Sequence, residues 1–324
     1  MLLVGTALAT LASSCGPSIS PPIAQQKPAK AASPSEAPIS PSPTPTEKAA
    51  HPRPDTSNMV LLPGGSYVPM KPDPEDETHE RQIPGAMVTV APFWLDVTPV
   101  TAEDYARCVV DGACSDEGLR CTDPTGWGEH SLPTYGNIAK GDHPVNCVSQ
   151  LQATAYCDHV GKRLPTANEW SWAAHGADRG TPLPWGDEVP QLYYDKTYLC
   201  WGRSYFGDVE SFIWACHFLF FGCSAAIDYT RRPDEGTCPV RAHPMGDSPQ
   251  GIADLVGNVL EWTSTMVPGE KEGRAEPIAL EGGACWRTFD PRGLNVDASS
   301  NDFVSRRYDT VGFRCAWTDS SGGQ

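Results

Sequence analysis

Residues 17–54 hold eleven prolines in 38 positions, among them the run Pro41-Ser-Pro-Thr-Pro45. Ala and Ser supply much of the remainder, so the segment has too few apolar side chains to offset the entropy of ordering its backbone. Residues 16–57 therefore read as an extended tether, partly polyproline in character. Whatever packs must come from roughly the 265 residues that follow, a length that can bury a full core. The folded body is expected over 58–319, with 320–324 as a short tail.

The ends of the chain and its cysteines bear on compartment. Met1 to Ala12 is apolar but too short to span a bilayer. It runs into Leu11-Ala-Ser-Ser-Cys15, where small residues precede a cysteine. Residues 1–15 thus resemble a bacterial lipoprotein signal, with Cys15 the residue lipidated after cleavage. Twelve cysteines with no Cys-x-x-Cys argue against a zinc ribbon or a thioredoxin-type motif and fit disulfides made in an oxidising compartment. The expected location is extracytoplasmic, in the periplasm or at the cell surface, with membrane contact only through the lipid. A net charge of −16, from 40 acidic and 24 basic residues, makes nucleic acid and anionic membrane surfaces poor partners.

Three helices are marked at both ends. Thr101-Ala-Glu-Asp104 opens one that stops before Gly112. Ser149-Gln-Leu-Gln152 opens a second that stops at Gly161, and Thr166-Ala-Asn-Glu169 a third that closes at Gly176. Each sets a hydroxyl at the N-cap and an acid or amide three residues on, with Asp104 the weak member. Met59 to Val68 reads as strand, Pro-Gly-Gly turn and strand. Met87 to Val97 supplies more strand, interrupted at Pro92. After residue 180 the pattern is irregular, with short strands expected near Ile278 to Glu281 and Gly312 to Trp317. No internal repeat is present.

Nine blocks in order then suggest a family. They are Pro63-Gly-Gly-Ser-Tyr67, Leu95-Asp-Val-Thr-Pro-Val-Thr101, His143-Pro-Val-Asn-Cys-Val-Ser149 and Gly161-Lys-Arg-Leu-Pro-Thr-Ala-Asn-Glu-Trp170, followed by Pro184-Trp-Gly-Asp187 and Gly236-Thr-Cys-Pro-Val240. Asp254-Leu-Val-Gly-Asn-Val-Leu-Glu-Trp262, Gly282-Gly-Ala284 and Val311-Gly-Phe-Arg-Cys-Ala316 complete the series. From Met59 to Trp317 the chain resembles the formylglycine-generating enzyme, or sulfatase-modifying factor, family. The resemblance implies a single irregular α+β domain related to C-type lectins. It also implies a structural calcium held by the carboxylates of Asp254 and Glu261 and the carbonyls of Gly257 and Val259, an oxygen-rich set suited to a hard cation. Cys157 and Cys315 match positions that form a disulfide in the family, a bridge contributing about 4 kcal/mol or more in the chain-entropy model. Cys108, Cys114, Cys121 and Cys147 form one local set with three possible pairings, and Cys200, Cys216, Cys223 and Cys238 another, leaving Cys285 as the odd one out. Arg314 reads as a brace of the core through buried carboxylates.

The resemblance fails at the chemistry. Aerobic family members oxidise a substrate cysteine to formylglycine with copper held by two cysteines after a Gly-Gly-Ser turn, and two thiolates suit Cu(I). Here Arg287 and Pro291 stand in those places, Ala284 replaces the turn serine and Leu260 replaces a tryptophan. Copper is not expected. The first reading is a non-catalytic binding or assembly module for a protein, glycan or peptide ligand. The alternative is an oxidase with ligands rebuilt from Cys285 and a partner such as His217 or Cys223. The aromatic stretch 211–221 is read either as an exposed patch or as a buried element pinned by Cys216 and Cys223.

Overall fold

The computed structural model describes residues 53–72, 82–121, 132–190, 197–201, 236–267, 278–286, 288, 294, 296–297 and 300–319. The leader, the tether up to residue 52, Cys15, the stretch 211–221, Arg287 and Pro291 lie outside them.

The helices form where their end signals stand. Helix α1 (Ala102–Val110) is capped by Thr101, α2 (Gln150–His159) by Ser149 and α3 (Ala167–Ala174) by Thr166. In α2 and α3 the box is reciprocal: the cap oxygen accepts from the N3 amide while Gln152 or Glu169 reaches back to the cap amide. Asp104, one methylene shorter, does not reach back; its carboxylate takes the Thr101 hydroxyl instead. Gly112, Gly161 and Gly176 follow the helices with φ of 74°, 73° and 66°, the left-handed backbone that ends a helix without Cβ strain.

The strands correct one expectation. Strands β1 (Met59–Leu62) and β2 (Gly65–Tyr67) do not form a hairpin about Pro63-Gly-Gly. They run on as one bent strand against β5 (Val88–Val90) and β6 (Phe93–Asp96), with Leu62 opposite Phe93 and Gly65 opposite Val90 in unbroken register. Pro63 and Pro92 therefore face each other, and the ladder lapses where neither residue has an N–H to give. Gly65 answers to packing: a Cβ there would lie 2.5 Å from the Trp172 ring. Trp172 also donates its indole N–H to the Pro63 carbonyl at 2.8 Å. Strands β3 (Met70–Pro72) and β4 (Gln82–Pro84) continue the same arm.

The second sheet assembles from the far end of the chain. Its order is β10 (Val311–Gly312), β7 (Leu260–Val267), β8 (Ile278–Gly282), β9 (Ser300–Phe303), with β10 and β7 parallel. Strand β11 (Ala316–Trp317) instead joins β1 and β6, so the chain terminus closes the N-terminal sheet. Two cores result. One gathers Leu62, Phe93, Leu95, Trp170, Trp172 and Leu255. The other gathers Tyr105, Cys157, Trp262, Phe313 and Cys315 around α1, α2 and the start of β7.

Candidate functional site

The loop from Ala253 to Leu260 is buried along its whole length before it becomes β7. It bends at Asp254 and Asn258, whose φ values of 55° and 62° are left-handed and most readily accepted by Asp and Asn among residues with side chains. Asn258 holds four strands of chain together. Its side chain exchanges two hydrogen bonds with the Cys238 backbone, its amide donates to the Cys200 carbonyl at 2.7 Å, and its carbonyl accepts from Trp286 at 2.9 Å.

Glu261 follows on β7 and is fully buried opposite Arg314, also fully buried. Arg314 has five N–H groups, and each meets an acceptor. Two reach the Glu261 carboxylate at 2.8 Å each, and the others reach the carbonyls of Ala253, Asp96 and Val97. The Glu261 oxygen that accepts from Nε also accepts from the Trp170 indole at 2.8 Å. The Glu261–Arg314 pair thus joins helix α3, the 253–261 loop and the N-terminal sheet. Arg314 braces the core as the sequence suggests, and the carboxylate it uses is Glu261.

Asp254 is nearly buried, and its carboxylate accepts from the Arg241 amide at 2.7 Å. Burial pushes its pKa up to about 6; the Arg241 bond and the Arg314 charge pull down, while Glu261 and Asp247 add to the rise. One buried oxygen of Asp247 meets no donor among the described residues. The buried carbonyls of Gly257 and Val259 likewise accept no hydrogen bond from described residues. Oxygens of this kind are the ligand type that a hard cation takes. Both Glu261 oxygens are already committed to Arg314, one of them also to Trp170, and one oxygen of Asp254 is committed to the Arg241 amide.

Beyond β8 the chain turns through Gly282-Gly283-Ala284. A Cβ on Gly282 would come within 2.5 Å of the Trp170 ring, so glycine there lets the turn lie on the indole. Ala284, Cys285, Trp286 and Thr288 are all buried. Thr288 closes the turn, its amide donating to the Cys285 carbonyl and its hydroxyl accepting from the Cys285 amide. Cys285 corrects two expectations: it is disulfide-bonded and so neither the odd one out nor available as a thiolate ligand or nucleophile. Its proposed partners His217 and Cys223 lie outside the described residues.

The other described cysteines are paired as Cys108–Cys114, Cys121–Cys147, Cys157–Cys315 and Cys200–Cys238. His243 approaches Cys200 and Cys238 in a cluster with metal-like spacing, but the two sulfurs are spent on each other. Sequence reasoning missed the part-buried pair of Lys162 with Asp96, 2.7 Å apart, and the pair of His175 with Asp297. Lys162 stands beside the recognisable Arg163-Leu-Pro-Thr run, but its partner is 66 residues away and no local signal names it.

Residues 44–319 match the family model described as the sulfatase-modifying factor enzyme 1-like domain, and the chain belongs to that family. It is 29% identical over 296 residues to inactive C-alpha-formylglycine-generating enzyme 2 of Bos taurus, covering 81% of this chain and 88% of the relative. It is 27% identical over 311 residues to the formylglycine-generating enzyme of Streptomyces coelicolor, covering 83% of this chain and 91% of the relative. The solved structure of PvdO from Pseudomonas aeruginosa aligns with a TM-score of 0.54 at 22% identity, covering 84% of this chain and 99% of that one. The fold is the irregular, disulfide-stapled α+β domain related to C-type lectins.

Proposed function

We propose that this chain is a non-catalytic member of the family, an extracytoplasmic module that keeps the scaffold to bind or assemble with a protein, glycan or peptide ligand. One observation carries the reading: Arg287 and Pro291 stand where the copper-binding cysteines are expected, and the neighbouring sulfur, Cys285, is closed in a disulfide. Neither guanidinium nor pyrrolidine ring can replace a thiolate on a soft ion. The relative in cattle, itself named inactive, supports the same reading. Purified protein given copper, oxygen and a Cys-x-Pro-x-Arg peptide is expected to leave the cysteine unchanged. Mass-spectrometric detection of formylglycine in the peptide would overturn the proposal.

In this reading the lipid on Cys15 and the tether over 16–57 hold the module at the outer side of a membrane, and calcium is structural. Asp254, Gly257 and Val259 would hold the ion, with Glu261 shared between it and Arg314. The ion supplies a fixed positive charge that lets Asp254 stay ionised in the core. Calorimetry at neutral pH is expected to give a higher Tm in calcium than in chelator, and Asp254→Asn to abolish the difference. An equal Tm in both media removes calcium from the account.

A further inference from the structure

The outer face of the β1–β6–β11 sheet carries a row of side chains that the candidate site does not use. Leu61 is the direct cross-strand partner of Trp94, and Trp94 of Trp317, so all three stand on one face. Leu95 and Ala316, their neighbours in sequence, point the other way and are fully buried in the core. Leu61 is 52% exposed and both indoles are half-buried. The two indole rings lie 6.5 Å apart and tilted by 45°, which makes a shallow V and not a flat shelf.

The indole N–H groups set these two residues apart. Trp170, Trp172, Trp185, Trp262 and Trp286 each donate to a carboxylate or carbonyl of the fold. Trp94 and Trp317 have no acceptor among the described residues. Two adjacent free donors on an apolar V suit a backbone that brings bare carbonyls and proline rings together. Polyproline II is such a backbone, because it makes no internal hydrogen bonds and docks on aromatic grooves. A sugar ring would favour a flatter platform than two indoles tilted by 45°.

The described chain begins at this place. The Arg53 guanidinium sits over the Trp317 ring at 5.3 Å. Immediately before Arg53 lies the proline-rich segment, with Pro41-Ser-Pro-Thr-Pro45 ending eight residues upstream. Eight residues of polyproline II extend about 25 Å, whereas a row crossing three strands covers about 10 Å, so the run has ample length to fold back. We propose that Pro41–Pro45 docks on the Leu61–Trp94–Trp317 row of its own chain, its carbonyls accepting from the two indoles and its rings filling the V. The tether is then shorter than its residue count suggests, and a second copy of the run competes with it for the face.

The test uses the full chain with 15N-labelled tryptophan, the two indole resonances assigned through W94F and W317F. The comparison is wild type against P41A/P43A/P45A, whose changes lie outside the folded body. Indole hydrogen exchange at Trp94 and Trp317 is expected to be about tenfold faster in the triple variant. A synthetic peptide of residues 38–48 should slow it again in that variant, and bind wild type far more weakly. Equal exchange in the two chains would sink the proposal. So would equal peptide binding by both, which would mark the face as a vacant site for another chain, or an indole response to soluble oligosaccharide identical in both, which would assign it to a glycan.

Discussion

Both ring nitrogens of His175 face acceptors: Nδ1 lies 2.8 Å from the Thr181 carbonyl and Nε2 3.2 Å from the Asp297 carboxylate. A neutral imidazole has one N–H and cannot satisfy both, so the geometry calls for the imidazolium. Burial works against that charge, but the Asp297 hydrogen bond, the Thr181 carbonyl and the Asp297 charge outweigh it, and the pKa is raised above 6.5. A raised basic pKa stabilises the fold fully below the unfolded value near 6.5, and that contribution fades as pH climbs through the folded value. An NMR titration is expected to place His175 above 6.5, with stability to urea falling over the same window. Asp297→Asn should bring the midpoint down and flatten the decline. A His175 midpoint below 6.5 in the native protein would contradict the assignment.

Among elements, the helices can be ranked by their caps. The boxes of α2 and α3 satisfy two amides each, and Glu169 of α3 also takes a two-point ion pair from Arg163, the shorter contact 2.6 Å. At α1 the exchange runs one way, because the Asp104 carboxylate is turned to the Thr101 hydroxyl and Arg107. Thr166→Ala is expected to lower unfolding free energy by about 1 kcal/mol. Glu169→Ala should lower it further, since it removes the returning bond and the Arg163 partner together. Denaturant midpoints decide this, and an order in which Thr166→Ala is the more harmful would mean the ion pair contributes nothing. Strand identity follows another logic. Pro63-Gly-Gly has the composition of a turn, yet the chain bends there without reversing, Trp172 packing on Gly65 and Pro92 facing Pro63 across the ladder.

For the molecule as a whole, the disulfides divide the labour by loop length. Cys157–Cys315 spans 158 residues and ties α2 to the end of the chain, whereas Cys108–Cys114 spans 6. In the chain-entropy model the long bridge contributes about 5 kcal/mol and the short one about 2. Replacing both cysteines of a bridge by alanine should therefore destabilise the protein much more for the 157–315 pair, as read by urea unfolding. Equal losses would point to native-state packing and not loop closure as the source. The long bridge lies in the same core as Phe313 and Tyr105, and both Cys315 and its neighbour Arg314 hydrogen-bond to Asp96 at the end of β6, so the C-terminal segment locks the N-terminal one.

The amino-acid order alone settled what depends on near neighbours. Helix ends were legible because a cap hydroxyl and its N3 partner are three residues apart, and the family blocks were legible because their order survives. What only the tertiary structure decided were relations between residues far apart in the chain. Those include which strand β1 would meet, that Cys285 is closed in a disulfide, that Glu261 belongs to Arg314 before any ion, and that Trp94 and Trp317 share an open face. Each depends on a contact whose two halves carry no signal until the chain has brought them together, since burial and charge pairing are properties of the packed body.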